Sequence, residues 1–225
     1  MGLLVIAAVV WLGIHFGLAG TQLRDWLVER IGELPFRGMF SALSIGGIGF
    51  LVWAWRGAPT TPLWYAPGWL RWVLVAVMLA AFVLFVASVR RRSPTMVGMP
   101  GATVQPPRGI QRVTRHPMLW SFALWAAVHV AGNGDTAAIV FFGTFLVTAL
   151  GGMPSIDAKL ARRDPALWRA LSAATSSVPF VAISQGRNRF VPREIGWLAV
   201  LIAVAAWAAM LHLHPFLFGV APVVM

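Results

Sequence analysis

Five histidines hold most of the reactive potential of this chain: His15, His116, His129, His212 and His214. Each lies in or at the end of a strongly apolar run, where an ionisable ring is costly and usually marks function. His116 stands between Arg115 and Pro117 at the head of RHPMLWSFALWAAVHVAGNGD (115–135), and His129 follows thirteen residues later. On one helix that spacing sets the rings about 140° apart in azimuth and about 20 Å apart along the axis. The two cannot share a metal, so each needs partners elsewhere. His15 lies in GIHFG, where Gly13 and Gly17 form a small-xxx-small pattern open to a close helix or a flat ligand. His212 and His214 sit in LHLHPFLFG near the end of the chain. With no cysteine present, thiolate zinc and iron–sulfur centres are excluded, and a metal must rely on His, carboxylate or Met. Deep imidazoles among many aromatics suit a haem with two axial histidines. The plainer alternatives are amphipathic anchors for His116, His212 and His214, and interhelical hydrogen bonds for His15 and His129.

Such rings need a rigid apolar frame. Of the 225 residues, 59% are hydrophobic and 11% charged, against about 25% charged in a soluble domain. The apolar residues fall in runs, as in an integral membrane protein. Six spans are predicted, at about 2–20, 38–55, 69–89, 117–132, 136–152 and 195–218, making an all-α polytopic bundle of one domain over 1–225. The first lacks a basic leader and is too long for a signal h-region, so it is expected to stay uncleaved. Only Asn133-Gly134-Asp135 separates the fourth and fifth, which predicts a tight helical hairpin. Segments 21–37, 90–115 and 153–194 carry three, six and seven basic residues, against two (Arg56 and Arg71) in 56–71 and none in 133–135. The positive-inside rule then places both termini outside, periplasmic in the cytoplasmic membrane of a bacterium. Asp164-Pro165 predicts a capped helix start. The helix that follows is amphipathic and is expected on the inner membrane surface, with Trp168 at the headgroups. Trp26, Trp64, Trp69 and Trp72 fit an interfacial aromatic belt.

The net charge of +11 flanks apolar runs instead of forming a stripe with aromatics, so lipid and not nucleic acid is the expected partner. The chain has no glycine-rich phosphate loop and no Ser-His-Asp order. The seven acidic residues read as lying at span ends or in loops, which argues against a proton-driven transporter.

GIHFGLAG around His15, RHPMLWSFALWAAVHVAGNGD, the Ile156–Phe180 segment and the ending HPFLFGVAP together resemble the NnrU family of membrane proteins, which includes the zeta-carotene isomerases. The resemblance implies haem b, with His15 and His129 as axial ligands and His116 matching the histidine of the Arg-His-Pro motif. It implies either isomerisation of a cis double bond in an apolar carotenoid or a role in nitrite and nitric oxide reduction. Measured from the inner ends of their spans, His15 lies about 8–14 Å deep and His129 about 18 Å deep. If tilt does not bring them to one level, His129 pairs with His212 or His214, leaving His15 near His116. Two other functions fit parts of the pattern. Arg115-His116-Pro117 also resembles the motif that holds S-adenosylmethionine in membrane methyltransferases, where a helix N-terminus and Arg115 receive a carboxylate. A non-catalytic partner of respiratory reductases would dock through the inner arginines, notably Arg90 to Arg92.

Overall fold

The computed structural model describes residues 1–90 and 106–223; Arg91 and Arg92 of the proposed docking cluster lie outside them. Ten α-helices are formed among the described residues: α1 (Gly2–Leu12), α2 (Gln22–Ile31), α3 (Glu33–Arg56), α4 (Gly68–Arg90), α5 (Ile110–Val113), α6 (Pro117–Asn133), α7 (Thr136–Arg163), α8 (Pro165–Ala174), α9 (Val181–Ser184) and α10 (Trp197–Phe218). A π-helical segment, Gly13–Leu18, extends α1. A single isolated β-bridge, Pro62 to Asp135, is the only extended pairing among the described residues.

Four helices, α3, α4, α7 and α10, are long and apolar enough to cross a membrane; α1 and α2, bent by 72° at their junction, supply a fifth crossing if taken as one span. Helix α6 has 17 residues, about 25 Å at 1.5 Å per residue, against a hydrocarbon core of about 30 Å. Length and composition thus show four or five spans among the described residues, and α6 is the shorter helix that a count of six would need. The long helices pack in the spatial order α3, α1, α7, α6, α4, α10, and α10 packs chiefly on α4.

Specific contacts set the register of this row. The indole of Trp11 donates to Thr148 Oγ1 at 2.9 Å, tying α1 to α7. Gly47 lets α3 close on the same indole, since a Cβ there would sit 3.2 Å from the ring. Gly151 leaves room for Phe16, whose ring would lie 2.7 Å from an added Cβ. By contrast, a Cβ at Gly13 or Gly17 would meet nothing within 4 Å. The small-xxx-small face beside His15 receives no neighbouring helix. Trp207 donates to Val75 O at 3.0 Å and fixes α10 on α4.

The α6–α7 hairpin forms as its turn residues predict. Gly134 has φ +67°, and its absent Cβ would lie 2.1 Å from Trp64 O. The 57–67 loop clamps the turn: Leu63 and Trp64 amides donate to Gly134 O, and Thr60 donates to Asp135. Asp135 in turn caps α7 by accepting from Ala138 N at 2.8 Å.

One expectation is corrected here. Helix α7 does not end near residue 152 but runs through Pro154 to Arg163, which places Asp157 on a helix and not in a loop. Helix α8 is capped by Asp164 with Pro165 in the first turn, as predicted. Its apolar face, however, is spent on the protein: Leu167 and Leu171 are buried, and Trp168 lies under the Arg115 guanidinium at 5.2 Å. Amphipathicity specifies that one face is covered, and α7 covers part of it.

Candidate functional site

His129 and His15 are built alike. His129 Nδ1 donates to Trp125 O at 2.7 Å, and His15 Nδ1 donates to Trp11 O at 3.0 Å. Each ring also lies beside the indole four residues earlier, Trp125 at 5.2 Å and Trp11 at 4.1 Å between centroids. The shared pattern is Trp-x-x-x-His, present twice in the sequence as WLGIH and WAAVH. A carbonyl only accepts, so the Nδ1 proton is fixed, and in the neutral ring Nε2 keeps its lone pair. That is how a metal-binding imidazole is oriented by its outer partner.

Phe145 joins the two modules without bringing their histidines together. Its ring is 5.2 Å from Trp11 and 5.5 Å from Trp125. His15 and His129, the pair implied by the resemblance, make no ring contact with each other among the described residues. His15 meets Phe40 edge-on at 5.4 Å instead. His129 stacks on Phe142 at 4.7 Å, and on its other side meets His214 of α10, with centroids 6.4 Å apart and planes 25° apart. His214 Nδ1 donates to Val220 O at 2.7 Å, so its Nε2 is presented in the same way. His214, one of the two alternative partners for His129, is in ring contact with it. His212, two residues from His214, lies on the opposite face of α10, exposed, with Phe216 at 6.1 Å.

Arg115 and His116 serve the other end of α6. Asp157 accepts from Arg115 Nη2 at 2.6 Å and from His116 Nε2 at 2.8 Å. The His116 side chain is 1% exposed. Thr114 Oγ1 and Trp120 Nε1 both donate to Ser177 O, so the Arg-His-Pro motif and the 156–180 segment form one interlocked unit. Arg115 and His116 are thus committed to Asp157, at the end of α6 opposite His129. Among the described residues no three of His, Cys, Asp and Glu cluster to hold a metal ion.

Beside this unit, Glu194 joins the entry of α10 to α5. It accepts from Arg112 Nε at 2.8 Å and from Gly109 N at 2.8 Å. Arg112 first, and then the Gly109 amide, pull the Glu194 carboxyl down to about 2. A depressed carboxyl stabilises the fold above its ordinary value and loses that contribution as pH falls toward the folded one. The melting temperature in detergent should therefore differ between wild type and Glu194→Gln at pH 6, and the gap should shrink steadily from about pH 4.5 to about 2. A gap unchanged at the acid end would contradict this linkage.

A family model described as NnrU protein matches residues 3–222. The chain belongs to the NnrU family. Among curated proteins this NnrU chain is similar to the 15-cis-zeta-carotene isomerase of Arabidopsis thaliana, 28% identical over 96% of this chain and 59% of that one. It is also similar to the Zea mays protein of the same name, 24% identical over 85% of this chain and 52% of the relative. The chain spans little more than half the length of these two chloroplastic relatives. No solved structure matches it.

Proposed function

We propose that this NnrU protein is a haem-binding membrane isomerase that acts on a cis double bond of a conjugated, carotenoid-like polyene, with His129 and His214 as the haem ligands. The observation that carries the proposal is the facing pair itself: two imidazoles 6.4 Å apart, each with Nδ1 tied to a backbone carbonyl. Each would hold a metal centre through Nε2, the ring nitrogen left without the proton. The donor set is all nitrogen and charge-neutral, as a bis-histidine haem requires. The names of the two curated relatives supply the reaction class.

When bound, haem supplies a metal centre able to weaken the double-bond order of a neighbouring polyene. The chain's own residues do the rest. Trp125 O and Val220 O keep the protons on Nδ1 and so aim both Nε2 atoms. Phe142 fixes the plane of the His129 ring by stacking. The lipid-facing helices keep water out and let an apolar substrate enter sideways from the bilayer. Arg115 and His116 direct their hydrogen bonds to Asp157, which weighs against the methyltransferase alternative, where Arg115 would have to receive the cofactor's carboxylate. We place the protein in a bacterial cytoplasmic membrane with six crossings and both termini on the outer side, since the basic segments gather at the Asp157 end of the bundle.

Protein purified from haem-replete cells should show a Soret band that shifts on reduction. Incubated in the dark under reducing conditions with a 15-cis polyene, it should convert the 15-cis form, as chromatography would record. A colourless preparation that takes up no haem on reconstitution would overturn the ligand assignment. A haem-loaded protein that leaves the polyene unchanged would overturn the reaction.

A further inference from the structure

We propose that the C-terminal hook formed by Gly219 and Val220 is the positioning element of the histidine pair, fixing the ring rotation and tautomer of His214 beside His129. The ligand role of His214 rests on the function proposed above; the hook itself rests on geometry.

The other two anchored rings use the carbonyl one turn back on their own helix, Trp11 O for His15 and Trp125 O for His129. Those acceptors come with the helix and need no further device. His214 differs. Its Nδ1 reaches forward to Val220 O, six residues later and beyond the end of α10. The reach depends on a chain reversal at Gly219, which has φ +72° and ψ 7° and whose amide donates to Pro215 O at 2.9 Å. A left-handed residue at this point suits glycine and, next best, asparagine. Without the reversal the chain would continue away from the ring. Phe218 completes the enclosure, 4.8 Å from His214.

Helix α10 itself contributes little to holding the ring. It packs chiefly on α4, and most of its side chains beyond Ala203 are exposed or half-buried. His212 shows what an imidazole on this helix does without a hook: it has only Phe216 beside it and is exposed. Pro215 follows His214 directly and has no N–H to give to the helix, which loosens the turn that carries the ring. The hook therefore supplies two things that α10 does not: a fixed ring rotation and a fixed tautomer with the proton on Nδ1. That tautomer presents the Nε2 lone pair to a metal.

The test compares Gly219→Val, Gly219→Asn and a deletion of residues 219–225, which leaves α10 whole but removes the acceptor. Solid-state NMR of 15N-histidine protein in bilayers, without haem, reads the tautomer, with His214→Gln identifying the His214 signal. Wild type and Gly219→Asn should show His214 protonated on Nδ1, whereas Gly219→Val and the deletion should show a tautomer mixture. Haemin titrated into the same samples should bind about 10- to 100-fold more weakly to Gly219→Val and to the deletion, as when a ligand loses its outer partner, with Gly219→Asn near wild type. If Gly219→Val and the deletion keep both the wild-type tautomer and the wild-type affinity, the hook is not the positioning element. If the tautomer pattern holds but wild type binds no haemin, the hook stands and the ligand assignment falls.

Discussion

His129→Ala protein should fold and insert but fail to retain haem. The imidazole it removes is the better buttressed of the facing pair. It is held by Trp125 O at 2.7 Å, stacked on Phe142 at 4.7 Å, and set in the middle of the helix row. Loss of a partner to a ligand costs about 10- to 100-fold in affinity, and loss of the ligand itself should exceed that. His116→Ala should leave the haem spectrum intact, because His116 bonds Asp157 at the far end of the same helix. Haemin titration followed at the Soret band, with circular dichroism as the check on folding, separates the outcomes. Wild-type affinity in His129→Ala would remove His129 from the site.

Asp157→Ala should be the most destabilising single substitution at the opposite end. Its carboxylate answers two cationic or proton-donating groups, Arg115 and His116, whose side chains are 12% and 1% exposed. Removing one member of a buried ion pair strands the other and costs about 3–5 kcal/mol. Here a guanidinium and an imidazole are stranded together, and the joint between α6, α7 and the 175–177 segment opens. His116→Ala keeps the Arg115–Asp157 bond and should cost less. Denaturant unfolding in mixed micelles measures both. A loss below about 1 kcal/mol for Asp157→Ala, the range of exposed pairs, would mean the clasp is open to water.

The parts of this fold that were legible in the sequence carry local chemistry. Asn133-Gly134-Asp135 announces a turn because only glycine fits the left-handed position and Asp135 is a natural cap. Asp164-Pro165 announces a helix start for similar reasons. The end of α7 was obscured by Gly151, Gly152 and Pro154, which look like a break. In the fold, Gly151 makes room for Phe16, and the packed helix tolerates the proline. Asp157 thereby moves from an apparent loop into the clasp with the Arg-His-Pro motif. The π-helical segment around His15 leaves no signature in the spacing of its residues. The pairing of His129 with His214 is a contact between helices 85 positions apart, and no local pattern specifies it. One signal was available: the repeated Trp-x-x-x-His marks the two imidazoles whose helices anchor them.

The most direct measurement is low-temperature electron paramagnetic resonance on ferric, haem-loaded wild type, His214→Ala and His15→Ala. The facing pair predicts a low-spin, bis-histidine signal in wild type, its retention in His15→Ala, and conversion to high spin or loss of haem in His214→Ala. A low-spin signal that survives in His214→Ala but disappears in His15→Ala would contradict it and return the second ligand to His15.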